Sequence, residues 1–427
     1  MTITTSTMFD IESPRVLGAP SVPYYIPDQP VAAGTAVVGQ SEGIPELFKP
    51  LTIRGVTFQN RIFVSPMAQY SVADGFPSPW HTAYIGGTVI RGPGLTFVEA
   101  TAVSPAGRVT PEDTGIWSDA HAAAHKPFTD LAHSQNQKIG IQLVHGGRKS
   151  SVQTLWLAHP NATVPKDAGG WPDQIYAPSA IRYADYMPMP KEMTREDIKT
   201  VVEEFRAAAR RAVEVGFDVV ELHGAHGFLL SSFISPTSNQ RTDEYGGSWD
   251  NRIRFNLEVI DAVRSVMPES MPLFYRISAT EYLEDLPEPS WKIQDTVKFA
   301  EIISTHGVDL IDLSAGGNDS RQEVRLGHLH HVPFAQAVKN AHGDRLVVGA
   351  VGGIANGNDA QDVLSEGKAD VVSVGRYFQK NPGAVWKFAE DLGVDIVLPY
   401  QIEWPTVGRG ESVQRRAVAL LFGAGSE

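Results

Sequence analysis

Two histidines separated by two small residues follow an apolar run near the middle of the chain. Residues 219–228 read Val-Val-Glu-Leu-His-Gly-Ala-His-Gly-Phe, which places His223 and His226 at the end of a predicted strand. The small residues keep the backbone tight, so both imidazoles can point into one cavity. Two such donors suit the binding of an oxygen atom that becomes more negative during a reaction. We therefore predict an oxygen-binding pair, close to an aromatic residue, Phe228, that has no proton to give.

Two other interpretations of this pair stay open. The two histidines can be structural residues whose ring nitrogens are hydrogen-bonded inside a packed core, although their position at a strand end argues against this. Two imidazoles at this spacing can also chelate a metal ion, but a hydrolytic zinc site needs three protein ligands and no third stands nearby. No metal is therefore predicted. A second cluster, Gly-His-Leu-His-His at 327–331, lies in a predicted loop and is interpreted as solvated.

Glycines follow two of the other predicted strands. Gly352 and Gly353 come after the seventh strand, and Gly375 comes after the eighth, just before Arg376. Loops at these positions of a barrel commonly bind phosphate through backbone N–H groups, and an arginine adds a cation that can bind in a bidentate manner. We predict a phosphate ligand here, and the alternative is that the glycines only form tight turns.

Two polar residues on predicted strands suggest what carries the phosphate. Arg276 lies on the fifth strand, where a buried guanidinium needs an anionic partner or ligand. Gln142, at the end of the third strand, offers a donor and an acceptor to the edge of a planar heterocycle. An arginine beside that ring would stabilise negative charge developing on it. Together with the phosphate site, these residues predict a pocket for flavin mononucleotide (FMN).

These residues converge only if the strands that carry them form one closed sheet. Eight short apolar strands are predicted, at 61–65, 95–100, 138–143, 218–223, 273–277, 310–314, 346–349 and 371–374, with helical patterns between them. This alternation predicts an α/β fold, the (β/α)8 TIM barrel, whose active site lies at the C-terminal ends of the strands. An open doubly wound sheet is the alternative, and the lack of Gly-x-Gly-x-x-Gly after an early strand counts against it.

The segments outside the barrel pattern complete the expected architecture. Leu47–Gln59 predicts an N-terminal capping hairpin at the bottom of the barrel, and 150–174 predicts a long loop over its mouth. Residues 1–45 are predicted to form an extended N-terminal arm, 46–404 the FMN-binding barrel and 405–427 a C-terminal tail.

Composition narrows the classes of partner. The chain has 427 residues, a formal charge of −13 and no cysteine. Such acidity disfavours nucleic acid and anionic membranes, and the lack of cysteine excludes disulfides and thiolate nucleophiles. No apolar run is long enough for a membrane span, and the N-terminus lacks secretory and mitochondrial features. We predict a cytoplasmic protein with small-molecule partners.

From about residue 46 to 404 the chain resembles the Old Yellow Enzyme family of flavin-dependent ene-reductases, and within it the thermophilic-like branch. The matching motifs are Asn60-Arg61-Ile62, Ser65-Pro66-Met67, 115–119, 140–149, 177–180, Ser235-Pro236 and 239–248. The resemblance implies a TIM barrel that binds FMN without a covalent bond. The implied cofactor-binding residues are Pro66, Met67, Ala68, Ala102, Gln142, Arg276, Ser314, Gly352, Gly353, Gly375 and Arg376.

The resemblance also implies the reaction, which is the reduction of an activated C=C bond in two half-reactions. NADPH or NADH gives hydride to FMN and leaves, and an enone, enal or maleimide then takes its place. His223 and His226 would clamp the carbonyl oxygen while hydride reaches the β-carbon, with Tyr70 beside the substrate. Because both partners use one site, no separate dinucleotide-binding fold is needed.

Three positions depart from the family pattern. Relatives usually carry a proton-donating tyrosine at Phe228, so we predict ordinary reduction with Tyr70 or water as donor. The alternative is a redox-neutral double-bond isomerase or tailoring enzyme. Ala68 stands where the branch often has a cysteine that tunes the flavin. The segment 402–404 lacks the arginine that relatives extend into a neighbouring subunit, and Arg409 is the candidate substitute for that contact in a homodimer.

Overall fold

Eight parallel strands close into a barrel in the computed structural model, which describes residues 16–37, 43–157, 163–324 and 326–408. The strands are β1 (Ile62–Val64), β2 (Leu95–Ala102), β3 (Ile139–Val144), β4 (Val219–Gly224), β5 (Leu273–Ser278), β6 (Leu310–Ser314), β7 (Val347–Val351) and β8 (Val371–Val374). Each strand pairs with the next, and β8 closes the sheet by pairing with β1. The predicted barrel is confirmed, and each predicted strand overlaps an observed one.

Helices alternate with these strands along the chain. They are Pro79–Val89, Asp119–Ser134, Arg195–Glu214, Leu229–Ile234, Trp249–Arg264, Ile293–Thr305, Val332–His342, Gly357–Ser365, Arg376–Lys380, Ala384–Asp391 and Tyr400–Val407. Arg195–Glu214 shows the local cause: its buried residues recur every three or four positions, which forms one apolar face. Thr194 and Asp197 satisfy each other's backbone N–H groups at its start, as a capping box.

Aromatic rings fill the N-terminal end of the barrel. The strands Leu51–Ile53 and Val56–Phe58 form the predicted hairpin, and the Phe58 ring centre lies 4.9 Å from that of Phe63 on β1. The Phe63 ring stacks in turn on Phe274 of β5 at 6.3 Å. Burying each such side chain contributes roughly 1.5–3 kcal/mol. This apolar plug leaves the opposite, C-terminal end of the barrel to the polar residues.

The described part of the N-terminal arm packs beside the last segment of the barrel. The Gly34 N–H donates to the Val397 carbonyl at 2.8 Å, and the Val37 N–H donates to the Asp395 carbonyl at 2.9 Å. The remaining predictions for the arm, at 1–15 and 38–42, and for the tail from Arg409 onward fall outside the described residues.

Candidate functional site

The two histidines predicted to bind oxygen meet at the C-terminal end of β4. Their ring centres lie 5.1 Å apart, with the planes at 82°. Nδ1 of His223 accepts from the Ala225 N–H at 3.3 Å, so a neutral ring carries its proton on Nε2. The His226 N–H donates to Ser278 Oγ at 2.8 Å, and its Nε2 lies 2.7 Å from Ser314 Oγ. Both rings are therefore held by hydrogen bonds from within the chain.

Burial keeps both imidazoles uncharged. It lowers the pKa of His223 well below its usual value, and the nearby charges of Arg276 and Lys149 lower it further. Burial likewise lowers the pKa of His226, assisted by His223, Arg276 and Lys149. A neutral imidazole has one N–H to donate. Each ring of the pair thus carries one N–H donor and places no charge in the site.

Lys149 ties the turn that carries His226 to the loop after β6. Its Nζ donates to the carbonyl of His226 at 2.9 Å and to that of Gly317 at 2.5 Å, and it lies 4.1 Å from the centre of the Tyr183 ring. Burial, together with the charge of Arg148, lowers the pKa of Lys149 to about 7. His226 has φ of 60°, a conformation that costs energy outside glycine. Lys149 helps to hold that conformation.

The other two residues predicted to be catalytic occupy different positions. Phe228 lies beside the histidines, with its ring centre 4.8 Å from that of His223. Tyr70 follows β1, and its ring packs edge-on against Trp156 of the long loop after β3 at 5.4 Å. Burial raises the pKa of Tyr70, and the carboxylates of Asp113 and Glu99 add to this. No ring contact joins Tyr70 to either histidine within the described residues.

Arg276 on β5 has the anionic partner that its burial requires. Its Nη1 donates to Ser65 Oγ at 2.8 Å and lies 3.4 Å from Asp312 Oδ2. Its Nε is buried and has no hydrogen-bond partner among the residues that the structure describes. The Nε–H of the guanidinium is therefore free for a ligand.

Gln142 on β3 is anchored by a buried acid. Its Nε2 donates to Glu221 Oε1 on β4 at 2.7 Å. Burial raises the pKa of Glu221 to about 8, and Asp312 adds to the rise while Arg276 opposes it. Burial raises the pKa of Asp312 as well. The amide oxygen of Gln142 is not used in this bond and can accept a hydrogen bond from a ligand.

A cavity of about 570 Å³ lies at this end of the barrel, a volume typical of small-molecule sites. It is lined by eight of the predicted residues: Met67, His226, Arg276, Ser314, Gly352, Gly353, Gly375 and Arg376. Gly352 and Gly353 have φ of 103° and 81°, which other residues rarely adopt. Arg376 is the first residue of the short helix Arg376–Lys380. The cavity wall therefore combines the glycine backbone and the Arg376 cation after β7 and β8 with the imidazole of His226 after β4. We call the first region the glycine end, and His226 with the adjoining His223 the histidine end.

Four predicted cofactor residues, one of which is Gln142, lie near the cavity without lining it. Pro66 and Ala68 flank Met67 in the loop after β1, and both are half-buried. Ala102 ends β2 and is fully buried, and its N–H donates to the Thr114 carbonyl at 2.8 Å.

The interpretation of 327–331 as a solvated loop was wrong for its last residue. His328 is exposed, with 67% of its side chain accessible, but His331 is only 8% exposed and lines the cavity together with His330. The loop has no periodic pattern that would have revealed this. Asp312 and Glu221 were also missed, although each did leave a signal as a carboxylate within an apolar strand.

The described ranges contain neither a cluster of metal ligands nor a membrane-spanning helix. No group of three or more histidine, aspartate or glutamate side chains there could hold a metal ion. None of the helices in those ranges is both long and apolar enough to cross a membrane.

Comparisons with known proteins agree on one family. The model of the NADH:flavin oxidoreductase / NADH oxidase family matches residues 46–394. An NADH:flavin oxidoreductase of Gibberella zeae is 49% identical over 94% of this chain and 98% of its own length. An NADPH dehydrogenase of Geobacillus thermodenitrificans is 42% identical over 84% of this chain and 97% of its own. The structure of morphinone reductase in complex with tetrahydroNAD has a TM-score of 0.66 at 28% identity, covering 83% of this chain and 93% of that one.

Proposed function

Since the chain belongs to the NADH:flavin oxidoreductase / NADH oxidase family, which is the Old Yellow Enzyme family, we propose that it reduces the activated C=C bond of α,β-unsaturated carbonyl compounds. It is an FMN-dependent oxidoreductase that uses NADH or NADPH. The proposal adds the acceptor, an enone, enal or maleimide, and assigns roles to the residues around the cavity.

The residues of the cavity fit FMN. The backbone of Gly352, Gly353 and Gly375, with the Arg376 guanidinium, would hold the phosphate. The unpaired Nε of Arg276 and the amide oxygen of Gln142 would face the polar edge of the ring system. When bound, FMN supplies the hydride that it accepts from the nicotinamide.

The observation that carries the proposal is the pair of neutral imidazoles. His223 would donate from Nε2, because its Nδ1 already accepts from a backbone N–H. A Ser314 hydroxyl that donates to Nε2 of His226 leaves the proton of that ring on Nδ1, as a second donor. Negative charge grows on the carbonyl oxygen as hydride adds to the β-carbon, and both N–H groups stabilise that charge.

The proton that completes reduction needs another donor, because Phe228 has none. Tyr70 or water would supply it at the α-carbon. If protonation is slow, the Cα–Cβ bond, which is single in the enolate, rotates before hydride leaves the β-carbon for the flavin. The enzyme then isomerises the double bond with no net use of NADPH. This second function is favoured by one observation, the Phe228 ring 4.8 Å from His223.

The test is anaerobic turnover of 2-cyclohexenone, N-methylmaleimide and an acyclic (Z)-enone, whose double bond can change geometry, with flavin colour, NADPH and product followed together. We expect one NADPH to be oxidised for each molecule of reduced product. For Phe228→Tyr we expect kcat to rise by less than about tenfold, because the 10²–10⁴-fold rate gain from a general acid is reached only where no other proton donor acts. Isomerised product without NADPH loss would support the second function. A purified protein that takes up no FMN, or whose bound flavin neither enone nor maleimide reoxidises, would exclude both.

A further inference from the structure

The loop after β6 places two histidines against the glycines of β7. The rings of His330 and His331 lie 4.1 Å apart between centres. A Cβ added to Gly352 would meet His331 Nδ1 at 2.9 Å and His330 Cε1 at 3.0 Å. Both imidazoles thus cover the backbone of Gly352, within the cavity wall that also contains Gly353 and Arg376.

His331 is buried without the hydrogen bonds that burial normally demands. It is 8% exposed, and neither of its ring nitrogens has a hydrogen-bond partner among the described residues. By contrast, His330 Nδ1 has the Gly327 carbonyl at 2.7 Å. A buried polar group that is left unpaired costs free energy, so such a group in a cavity wall points to a ligand.

The charges around His331 indicate an anion. The groups that face it are His330 on its own loop, Arg276 on β5 and Arg376 after β8, and His226 after β4 also lies close enough to interact electrostatically. Burial and these neighbours lower the pKa of His331 to about 3. None of these groups is a carboxylate. A dianion bound here would offset the positive charges and pair with the imidazole N–H.

We propose that His331 is a further ligand of the FMN phosphate, acting with Arg376 and the β7 glycines so that the protein selects the phosphomonoester over the phosphate-free flavin. His330 packs beside it and completes the wall. This inference depends on FMN as the cofactor and not on enone reduction. Flavin binding therefore tests it separately from the proposed function.

The experiment compares FMN with riboflavin, which carries the same ring and ribityl chain without the phosphate. Flavin is removed from the purified holoenzyme, and the protein is titrated with each compound while flavin fluorescence is followed. For His331→Ala we expect the Kd of FMN to rise about tenfold, as for the loss of one charge-assisted hydrogen bond, and that of riboflavin to change less than twofold. His328→Ala, on the exposed part of the same loop, should change neither value.

His331→Phe provides the same test if the alanine variant fails to fold, because it keeps the ring volume and removes both nitrogens. Thermal unfolding of the flavin-free protein monitors folding for each variant. A loss confined to FMN supports the proposal. An equal loss for FMN and riboflavin, or no loss for either, overturns it, because a packing residue would affect both flavins alike.

Discussion

The two ends of the cavity treat charge in opposite ways. At the histidine end, burial and neighbouring cations keep His223 and His226 neutral. At the glycine end, Arg376 is exposed at the start of a helix and carries a permanent charge. A permanent anion needs a permanent cation, whereas an oxygen that becomes negative only during reaction is best met by fixed neutral donors. We therefore propose that the phosphate binds at the glycine end and that the chemistry takes place at the histidine end.

The largest effect should come from the histidine end. His223→Ala or His226→Ala removes one of two donors to the developing oxyanion, so we expect kcat/KM for 2-cyclohexenone to fall about 10²–10³-fold. FMN occupancy, measured by the ratio of flavin to protein absorbance, should not change. His306→Ala, a partly exposed histidine hydrogen-bonded to Asp261, is the control. If kcat/KM falls less than about threefold in both variants, His223 and His226 have no catalytic role.

A smaller and different effect is expected at the glycine end. Arg376→Ala should raise the Kd of FMN about 10–100-fold, because one or two charged hydrogen bonds are lost. At saturating FMN the kcat for the enone should stay within about threefold of wild type. Flavin fluorescence and steady-state assays measure these two quantities, with the exposed Arg345→Ala as the control. If kcat fell as far as Kd rose, the two ends would not be separable.

Lys149 tests whether the histidine end depends on the turn that presents it. Lys149→Met leaves the carbonyls of His226 and Gly317 without their donor, and we expect about a tenfold fall in kcat/KM as the turn relaxes. Lys149→Arg, which keeps a donor, should retain more activity. Unchanged FMN affinity in both variants would show that Lys149 acts on the histidine end of the cavity and not on the glycine end. Equal losses for Met and Arg would show that volume, and not hydrogen bonding, matters here.

The smallest expected change is the response to pH between 8 and 6.5. Each histidine is active in its neutral form. Because burial lowers the pKa of the ring, this form persists until the pH falls through a value well below 6.5. The rate at which the enone reoxidises the reduced, FMN-saturated enzyme should stay within about twofold over this range. Lys149, with a pKa of about 7, titrates within it but keeps two N–H groups for the carbonyls of His226 and Gly317 when it loses its proton. FMN affinity should weaken only as pH falls through about 6, where the phosphate takes up a proton. A rate that drops with a midpoint near 6.5 would mean that the histidines titrate normally.

Local pattern was enough to predict the barrel and eight of the residues that line the cavity. Strands such as Leu310–Ser314 are short apolar runs, and Arg195–Glu214 has a helical period and a capping box. In a closed parallel barrel the strand ends meet, so Gly352 and Arg376 had to approach Arg276. The burial of His331 could not be predicted in this way, because a loop has no periodic sequence pattern from which buried positions can be inferred.

By itself, the sequence determined which residues end each strand, and with that the list of groups available to one cavity. The tertiary structure alone decided how those groups are paired and charged. It set Asp312 beside Arg276, Glu221 beside Gln142, Lys149 on the carbonyl of His226, and His331 over Gly352. These pairings join residues that are far apart in the chain, and burial, which changes the pKa of each group, depends on all of its neighbours at once.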